Sequence, residues 1–200
     1  MSIVLQKKGA QHQMQFQKTE SGAVKILLKW SNDAPVDLDL GCYYELRNGK
    51  RCLIDPLQFM GGNGGPKDSI TMQGCYTYPP YIWHTGDDRG NNTSSQETII
   101  VNSKGLLAIR RIVVYAYIYE GVGKWRETDA VVNIVKNGHE TVTVRMGEVS
   151  DTRRFCAIAQ LDFDKDSSVT VKRLVTFHDN HSECDRKYGW GFNYNHTAKE

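Results

Sequence analysis

The fold is decided by a β-hairpin whose first strand reads VDLDLGCYYEL (residues 36–46), whose turn reads RNGK (47–50) and whose return strand reads RCLI (51–54). Asn48-Gly49 is a strong hairpin signal, because the favoured two-residue turns need positive φ. Even-numbered positions from Leu38 to Leu46 are mostly apolar, whereas the odd-numbered positions include Asp37 and Asp39. Side chains alternate between the two faces of a strand, so one face is predicted to enter the core. The other face carries both aspartates, about 7 Å apart.

These two aspartates have two interpretations. Like charges on one strand face repel each other unless water solvates them or a positive charge lies between them. The pair is therefore either part of a solvent-exposed face or part of a cation site.

The rest of the chain is also predicted to be mainly β-structure. Residues 24–30 alternate between apolar and basic positions, as in a half-buried strand. Residues 112–119 are apolar on both faces, which is typical of a central strand. Further strands are predicted at 98–101, 131–135, 141–146, 155–163 and 169–177, with a one-turn helix near 106–110. The sequence predicts an all-β fold, a two-sheet β-sandwich with one or two short helices and long functional loops.

The 200 residues fit one domain, which we place at 1–178, followed by a polar C-terminal tail at 179–200. The net charge of +2 gives no global field that would attract nucleic acid or an anionic membrane. No apolar run approaches the roughly 18 residues of a membrane span, and no secretory signal is visible at the N-terminus. The 5 cysteines are scattered, which is typical of free thiols in a reducing compartment. We therefore expect a cytoplasmic protein that neither spans a membrane nor binds nucleic acid directly.

A polar segment, HTGDDRGNNTSSQE (84–97), separates an aromatic run from a β-branched run. It is rich in carboxylates, amides and hydroxyls, the oxygen ligands that calcium takes in sets of six to eight. The spacing excludes an EF-hand, because position 3 from Asp87 is Arg89 and position 12 is Thr98. Any ion here must take further ligands from elsewhere in the chain. The alternative is an ordinary solvated loop.

Other candidate sites are weaker. His178, His181 and Cys184 follow one another at spacings of three and could bind a soft metal, but a fourth ligand is missing. The glycine run at 61–65 is not followed by a lysine-serine pair at the spacing of a phosphate-binding loop, nor by a helix. His84, beside Asp87, is the only candidate for an acid–base group.

Several motifs together resemble the TerD domain of tellurite-resistance and general stress proteins. Residues 4–9 (VLQKKG) are similar to the family's opening "SLSKGG", and LKW (28–30) with DLDL (37–40) is similar to its "GLGW…DLD" strand pair. HTGDDR (84–89) resembles "HTGDNRTG", followed by an acid and a strand at 97–101. Residues 112–119 resemble "IVFAVTIY", and 131–137 resemble "AFIRIVN". Each motif is weak alone, but the set is specific.

The resemblance implies a β-sandwich that binds calcium through acidic residues of the two motifs. Carried over residue by residue, it predicts a metal site made of Asp37, Asp39, Gly86, Asp87, Asp88, Asn91, Ser95 and Glu97. Asp88 stands where the family has asparagine, and Ser95 and Gln96 stand where it has two aspartates. Fewer carboxylates lower calcium affinity, so of the one or two ions that the family pattern allows we expect one.

The resemblance also implies a function. We expect a non-catalytic, calcium-binding stress-response protein in which calcium orders an acidic loop that presents a protein-interaction surface. The expected partners are other stress-resistance proteins, including membrane-associated complexes. The alternatives are a metal-assisted phosphoester or nucleotide-processing enzyme and an interaction module that binds no ion.

Overall fold

The computed structural model describes residues 1–16, 23–31, 36–56, 66–87, 94–121, 124–136, 140–148, 150–165 and 168–194. Within these ranges the chain forms thirteen strands, two α-helices and one 3-10 turn at Trp125–Glu127. The strands are β1 (Ser2–Leu5), β2 (Gln11–Gln15), β3 (Val24–Ser31), β4 (Asp37–Leu46), β5 (Arg51–Ile54), β6 (Gly74–Cys75), β7 (Ile82–His84), β8 (Ser94–Val101), β9 (Ile109–Glu120), β10 (Val131–Lys136), β11 (Glu140–Arg145), β12 (Phe155–Phe163) and β13 (Ser168–His178). The helices are α1 (Gly105–Ala108) and α2 (His181–Tyr188). The glycine run at 61–65 lies outside the described residues.

The strands form two sheets. The first has the order β1-β11-β10-β3-β8-β7-β6, and the second has the order β2-β13-β12-β9-β4-β5. Strand β1 pairs with β11 in parallel, and the other pairs are antiparallel. The predicted two-sheet, all-β sandwich is confirmed. No helix in the described part of the chain is both long and apolar enough to cross a membrane.

The main core lies between the two sheets. The predicted hairpin is present, with Cys42 opposite Ile54 and Glu45 opposite Arg51. The even-numbered side chains of β4 enter this core, as the alternation predicts. They meet inward residues of the first sheet, such as Ile26 and Leu28, which are fully buried. Burying each such side chain contributes about 1.5–3 kcal/mol, so this interface supplies most of the stability of the sandwich.

The outer face of the second sheet is also buried, which corrects one interpretation of the sequence. A solvent-exposed face would leave Asp39 and Tyr43 accessible, but their exposures are 3% and 0%. The cover is the segment that follows β13. Cys184 and Trp190 of this segment pack against side chains of the second sheet. Together they form a second cluster, called here the outer aromatic cluster: Tyr43, Val113, Tyr115, Tyr117, Phe155, Ala157, Leu174, Cys184 and Trp190.

Helix α2 holds this cover in place with well-formed ends. The Asn180 side chain accepts a hydrogen bond from the Glu183 amide at 2.9 Å, which is an N-cap. Gly189 ends the helix with φ of 70°, a conformation that glycine adopts at low cost. The division of the chain at residue 178 stays a prediction. The structure nevertheless shows that α2 and Trp190 pack on the sandwich rather than standing apart from it.

A close approach between strands generates the first prediction. Gly41 pairs with Tyr115 across β4 and β9, and a Cβ at Gly41 would lie closer than 3.0 Å to the Tyr115 ring. We expect Gly41→Ala to destabilise the protein by about 1–3 kcal/mol, because the ring must move out of a packed site. For a chain of this size that lowers the thermal midpoint by roughly 3–10 °C.

Gly147→Ala is the matched control, because its new Cβ would be 3.5 Å from the nearest backbone atom, an ordinary contact. Thermal unfolding followed by circular dichroism compares the two variants. Equal midpoints would contradict the packing assigned to Tyr115.

Candidate metal centre

Three carboxylates converge at one end of the sandwich. Asp39 comes from β4, Glu97 from β8, and Asp87 from the residues after β7, and one ligand atom from each lies within 4.8 Å of the other two. Among the described residues, this is the only group of three or more histidine, cysteine or acidic side chains with such spacing. Oxygens on opposite sides of a calcium ion are about 4.8 Å apart, twice the usual bond length, so the spacing fits one ion.

The two sheets meet here because the N-terminal half of β4 has no strand paired along one of its sides. Strand β5 pairs only with Cys42–Glu45 of β4, so on that side the backbone of Leu40 has no strand partner among the described residues. Instead the Leu40 amide donates to Glu97 Oε2 at 2.6 Å. Because that oxygen is engaged by the backbone, the carboxylate is held in one place beside Asp39.

The histidine of the predicted loop supports the same arrangement. His84 is fully buried. Its Nδ1 accepts from the Gly86 amide at 3.1 Å, and its Nε2 is 3.6 Å from Glu97 Oε2. The backbone of Leu40 also acts on the His84 ring. The imidazole therefore links the start of the loop to the open edge of β4.

Burial makes His84 a poor proton-transfer group. Desolvation lowers the pKa of His84 to about 4, so the imidazole is neutral at about pH 7. A fully buried ring also presents no surface to a substrate. Both observations argue against the hydrolase alternative, which needed His84 as its base.

The electrostatics of Asp39 favour a cation. Burial, followed by the charges of Glu97, Asp37, Asp55 and Asp87, raises the pKa of Asp39 to about 9. The carboxyl therefore holds a proton at about pH 7 unless another positive charge replaces it. Asp39 Oδ2 is also buried and has no hydrogen-bond partner among the described residues. A buried acceptor in this state fits a metal ligand, so the residues present suit a hard cation.

The remaining predicted ligands take different positions. Asp37 lies two residues before Asp39 on β4, is partly exposed and adds to the negative potential at Asp39. The Gly86 backbone amide donates to His84 Nδ1. Ser95 is buried on β8, two residues before Glu97, and pairs with Trp30. Asp88 and Asn91 lie outside the described residues, so their roles stay predictions.

The soft-metal alternative is not supported. His178 bonds Thr176, His181 bonds Asp55, and Cys184 is buried in the outer aromatic cluster. Burial also raises the pKa of the Cys184 thiol well above its usual range, which disfavours the thiolate that a metal needs. The three side chains do not form a metal-ligand group in the described part of the chain.

Sequence reasoning missed two residues beside the acids. Asp55 directly follows β5 and is 4% exposed, and Tyr117 lies opposite Asp39 in the pairing of β4 with β9. A register for these two strands would have found Tyr117. Asp55 gives no such signal, because an acid after a hairpin strand is ordinarily on the surface.

Comparison with known proteins agrees with this description. No family model matches the chain. Tellurium resistance protein TerA from Alcaligenes sp. is 30% identical over 197 residues, covering 91% of this chain and 54% of that protein. The chain therefore spans about half the length of this curated relative.

Two solved structures share the fold. SAV2460, a protein of unknown function, has a TM-score of 0.54 at 14% identity, covering 79% of this chain and 90% of its own. SCO6318 from Streptomyces coelicolor A3(2), a homologue of the telluride resistance protein TerD, has a TM-score of 0.51 at 14% identity, covering 80% of this chain and 92% of its own. At this identity the two structures establish the architecture alone. The sequence match to TerA, with the architecture shared with a TerD homologue, supports placing the chain as a divergent relative in the TerD-like family of tellurium resistance proteins.

Proposed function

We propose that this chain is a non-catalytic protein of the tellurium-resistance type that binds one calcium ion between Asp39, Asp87 and Glu97. The observation that carries the proposal is the convergence of these three carboxylates from separate stretches of the chain. A bound calcium ion would supply the positive charge that three neighbouring carboxylates otherwise lack.

The identity of the ion follows from the donor set. All three groups are carboxylates, which are hard ligands and suit calcium or magnesium better than a soft metal. Magnesium needs shorter bonds and a near-ideal octahedron, whereas calcium accepts irregular sets of six to eight oxygens. A site assembled from two sheets and the start of a loop is irregular, which supports calcium. Asp37, Gly86, Asp88, Asn91 and Ser95 remain proposed contributors to the same site.

The ion would join the two ends of the polar segment. Asp87 precedes residues 88–93 and Glu97 follows them, so a shared ion holds both ends against the rigid strand β4. We infer that calcium thereby fixes a surface at this end of the sandwich. Other stress-resistance proteins, including membrane-associated complexes, are its proposed partners. The resistance named for the TerA relative is the context that we propose for this chain.

Calcium should stabilise the folded protein by mass action. An ion that binds only the folded state adds about 2.7 kcal/mol at a concentration of 100 times its Kd. We expect chelator-treated protein to gain roughly 5–10 °C in thermal midpoint under that condition, and magnesium to give a smaller gain. No shift with either ion would contradict the proposed site and favour an ion-free interaction module.

Conservative variants separate a ligand from a structural residue. Asp39→Asn keeps the shape of the protonated carboxyl, so its midpoint without calcium should be close to the native value, while its calcium shift is lost. Asp87→Asn should also reduce the shift. Asp162→Asn is the control, because Asp162 pairs with Arg111, six residues along β9 from the Tyr117 position. If Asp39→Asn retained the full calcium shift, Asp39 would not be a ligand.

Proton competition gives an independent test. In the ion-free folded state the Asp39 pKa is about 9, against 3.8 for the ordinary group. Between these values the folded protein binds a proton that the unfolded chain has released, so its stability falls as pH rises. Calcium must displace this proton, and its affinity should therefore increase with pH.

Calorimetric titration at about pH 6 and about pH 8 should show tighter binding at the higher pH, by up to about tenfold per unit. Repeating the titration in buffers of different ionisation enthalpy should reveal the released proton. An affinity that does not change with pH would contradict the protonated state assigned to Asp39.

A further inference from the structure

We propose that Tyr117, Asp55 and His181 are positioning residues for the ion site, so that calcium affinity depends on the docking of helix α2. This inference rests on the proposed function. It adds residues that the motifs do not assign to the site. One of them belongs to a segment that follows the last strand.

The connection begins at Asp39. The strand register places Tyr117 directly opposite Asp39, on the outer face of the second sheet. The Tyr117 hydroxyl donates to Asp55 Oδ1 at 3.2 Å, and the Tyr117 side chain also interacts with the Asp39 carboxyl. A single hydroxyl therefore lies between a proposed ligand and a second buried acid.

Asp55 forms the middle of the connection. It also accepts a hydrogen bond to Oδ2 from the Tyr115 hydroxyl at 3.2 Å, and the His181 Nε2 lies 2.7 Å from the same oxygen. A buried carboxylate needs such partners, since leaving one unsatisfied is costly. Two of the three partners come from β9, and the third comes from α2. The orientation of Asp55 is therefore shared between the sheet and the helix.

His181 is held firmly in its position. It is the first residue of α2, and its ring makes an edge contact with Phe155 at 4.6 Å and with Tyr117 at 5.2 Å between centroids. Its backbone carbonyl accepts from the Tyr43 hydroxyl at 3.0 Å. Farther along the segment, the Arg111 guanidinium lies 4.2 Å from the centroid of Trp190. When α2 is docked, its first side chain is thus fixed on Asp55.

The consequence is a polar connection from the helix to the ion site. Without His181, Asp55 loses a partner at 2.7 Å, and the orientation of its carboxylate is less strictly fixed. Tyr117 would follow Asp55, and the Asp39 carboxyl would lose the hydroxyl that orients it. The three strand and loop carboxylates would remain, so the site would be weakened rather than abolished.

Calorimetric titration of the full chain with calcium tests this connection. Tyr117→Phe removes the hydroxyl and keeps the ring, and His181→Gln removes the imidazole and keeps a polar group. Losing one buried hydrogen bond should raise the calcium Kd about three- to tenfold in each variant. Both substitutions act through Asp55. The calcium Kd of the double variant should therefore be about equal to that of whichever single variant binds calcium less tightly. Thr143→Val is the control, since the Thr143 hydroxyl donates one hydrogen bond to Asn133 Oδ1 within the first sheet, away from α2, and the Kd of this variant should change less than about twofold.

Hydrogen exchange gives a readout that general destabilisation does not imitate. If docking of α2 favours calcium, calcium must favour docking by the same factor. Calcium should therefore slow amide exchange in residues 181–188 of the native protein more than in residues 140–145 of β11, which report general stabilisation, and neither effect should occur in Asp39→Asn. This readout also serves if Tyr117→Phe folds poorly.

The outcomes separate the two proposals. Suppose that the native protein binds calcium. An unchanged Kd in both variants, or unchanged exchange in α2, would then overturn the positioning role and leave the calcium site intact. Native protein that binds no calcium would overturn both. Weaker binding in the two variants but not in the control, with calcium-dependent protection of α2, supports the connection.

Discussion

The backbone of Leu40 has an open edge that no strand of the described chain covers, and the arrangement of the site follows from this constraint. A buried amide must find an acceptor, and here the acceptor is the Glu97 side chain of the opposite sheet. The same contact brings one carboxylate from each sheet to a single point. The hydrogen-bond requirement of one peptide group thus joins the two layers at the place where the acids meet.

The cost of this arrangement is concentrated on Asp39. Its carboxyl is buried among other acids, and such a group adopts either a protonated state or a state balanced by a cation. The sandwich therefore has two electrostatic states at this end, and protons and metal ions compete for one position. The end of the sandwich that holds these acids is destabilised by their mutual repulsion, and packing in the core compensates for it. Such local destabilisation is common at binding sites.

The sequence predicted much of the fold and part of the site. Alternation along β4 and the Asn48-Gly49 turn predicted the hairpin and its inward face correctly, because both depend on local chemistry. The short strands β1, β2, β6 and β7 and helix α2 were missed, since their boundaries depend on distant partners. Asp39, Asp87 and Glu97 were found through motifs, and the structure brings them together. Asp55 and Tyr117 were not found, and His181 was considered only as a soft-metal ligand. The C-terminal segment buries a face that looks solvent-exposed in the sequence, and no local sequence pattern predicts that burial.

The position of the first two strands has a consequence for synthesis of the chain. Strand β1 closes one edge of the first sheet by pairing with residues 141–144, and β2 closes one edge of the second by pairing with residues 168–172. Strands β1 and β2 are thus synthesised long before the strands with which they pair. Until then both sheets present an unpaired edge, a state in which strands readily pair with other chains. The nascent chain is therefore exposed to misassembly until β11 and β13 have been synthesised, and its native topology forms only when these strands are available to β1 and β2.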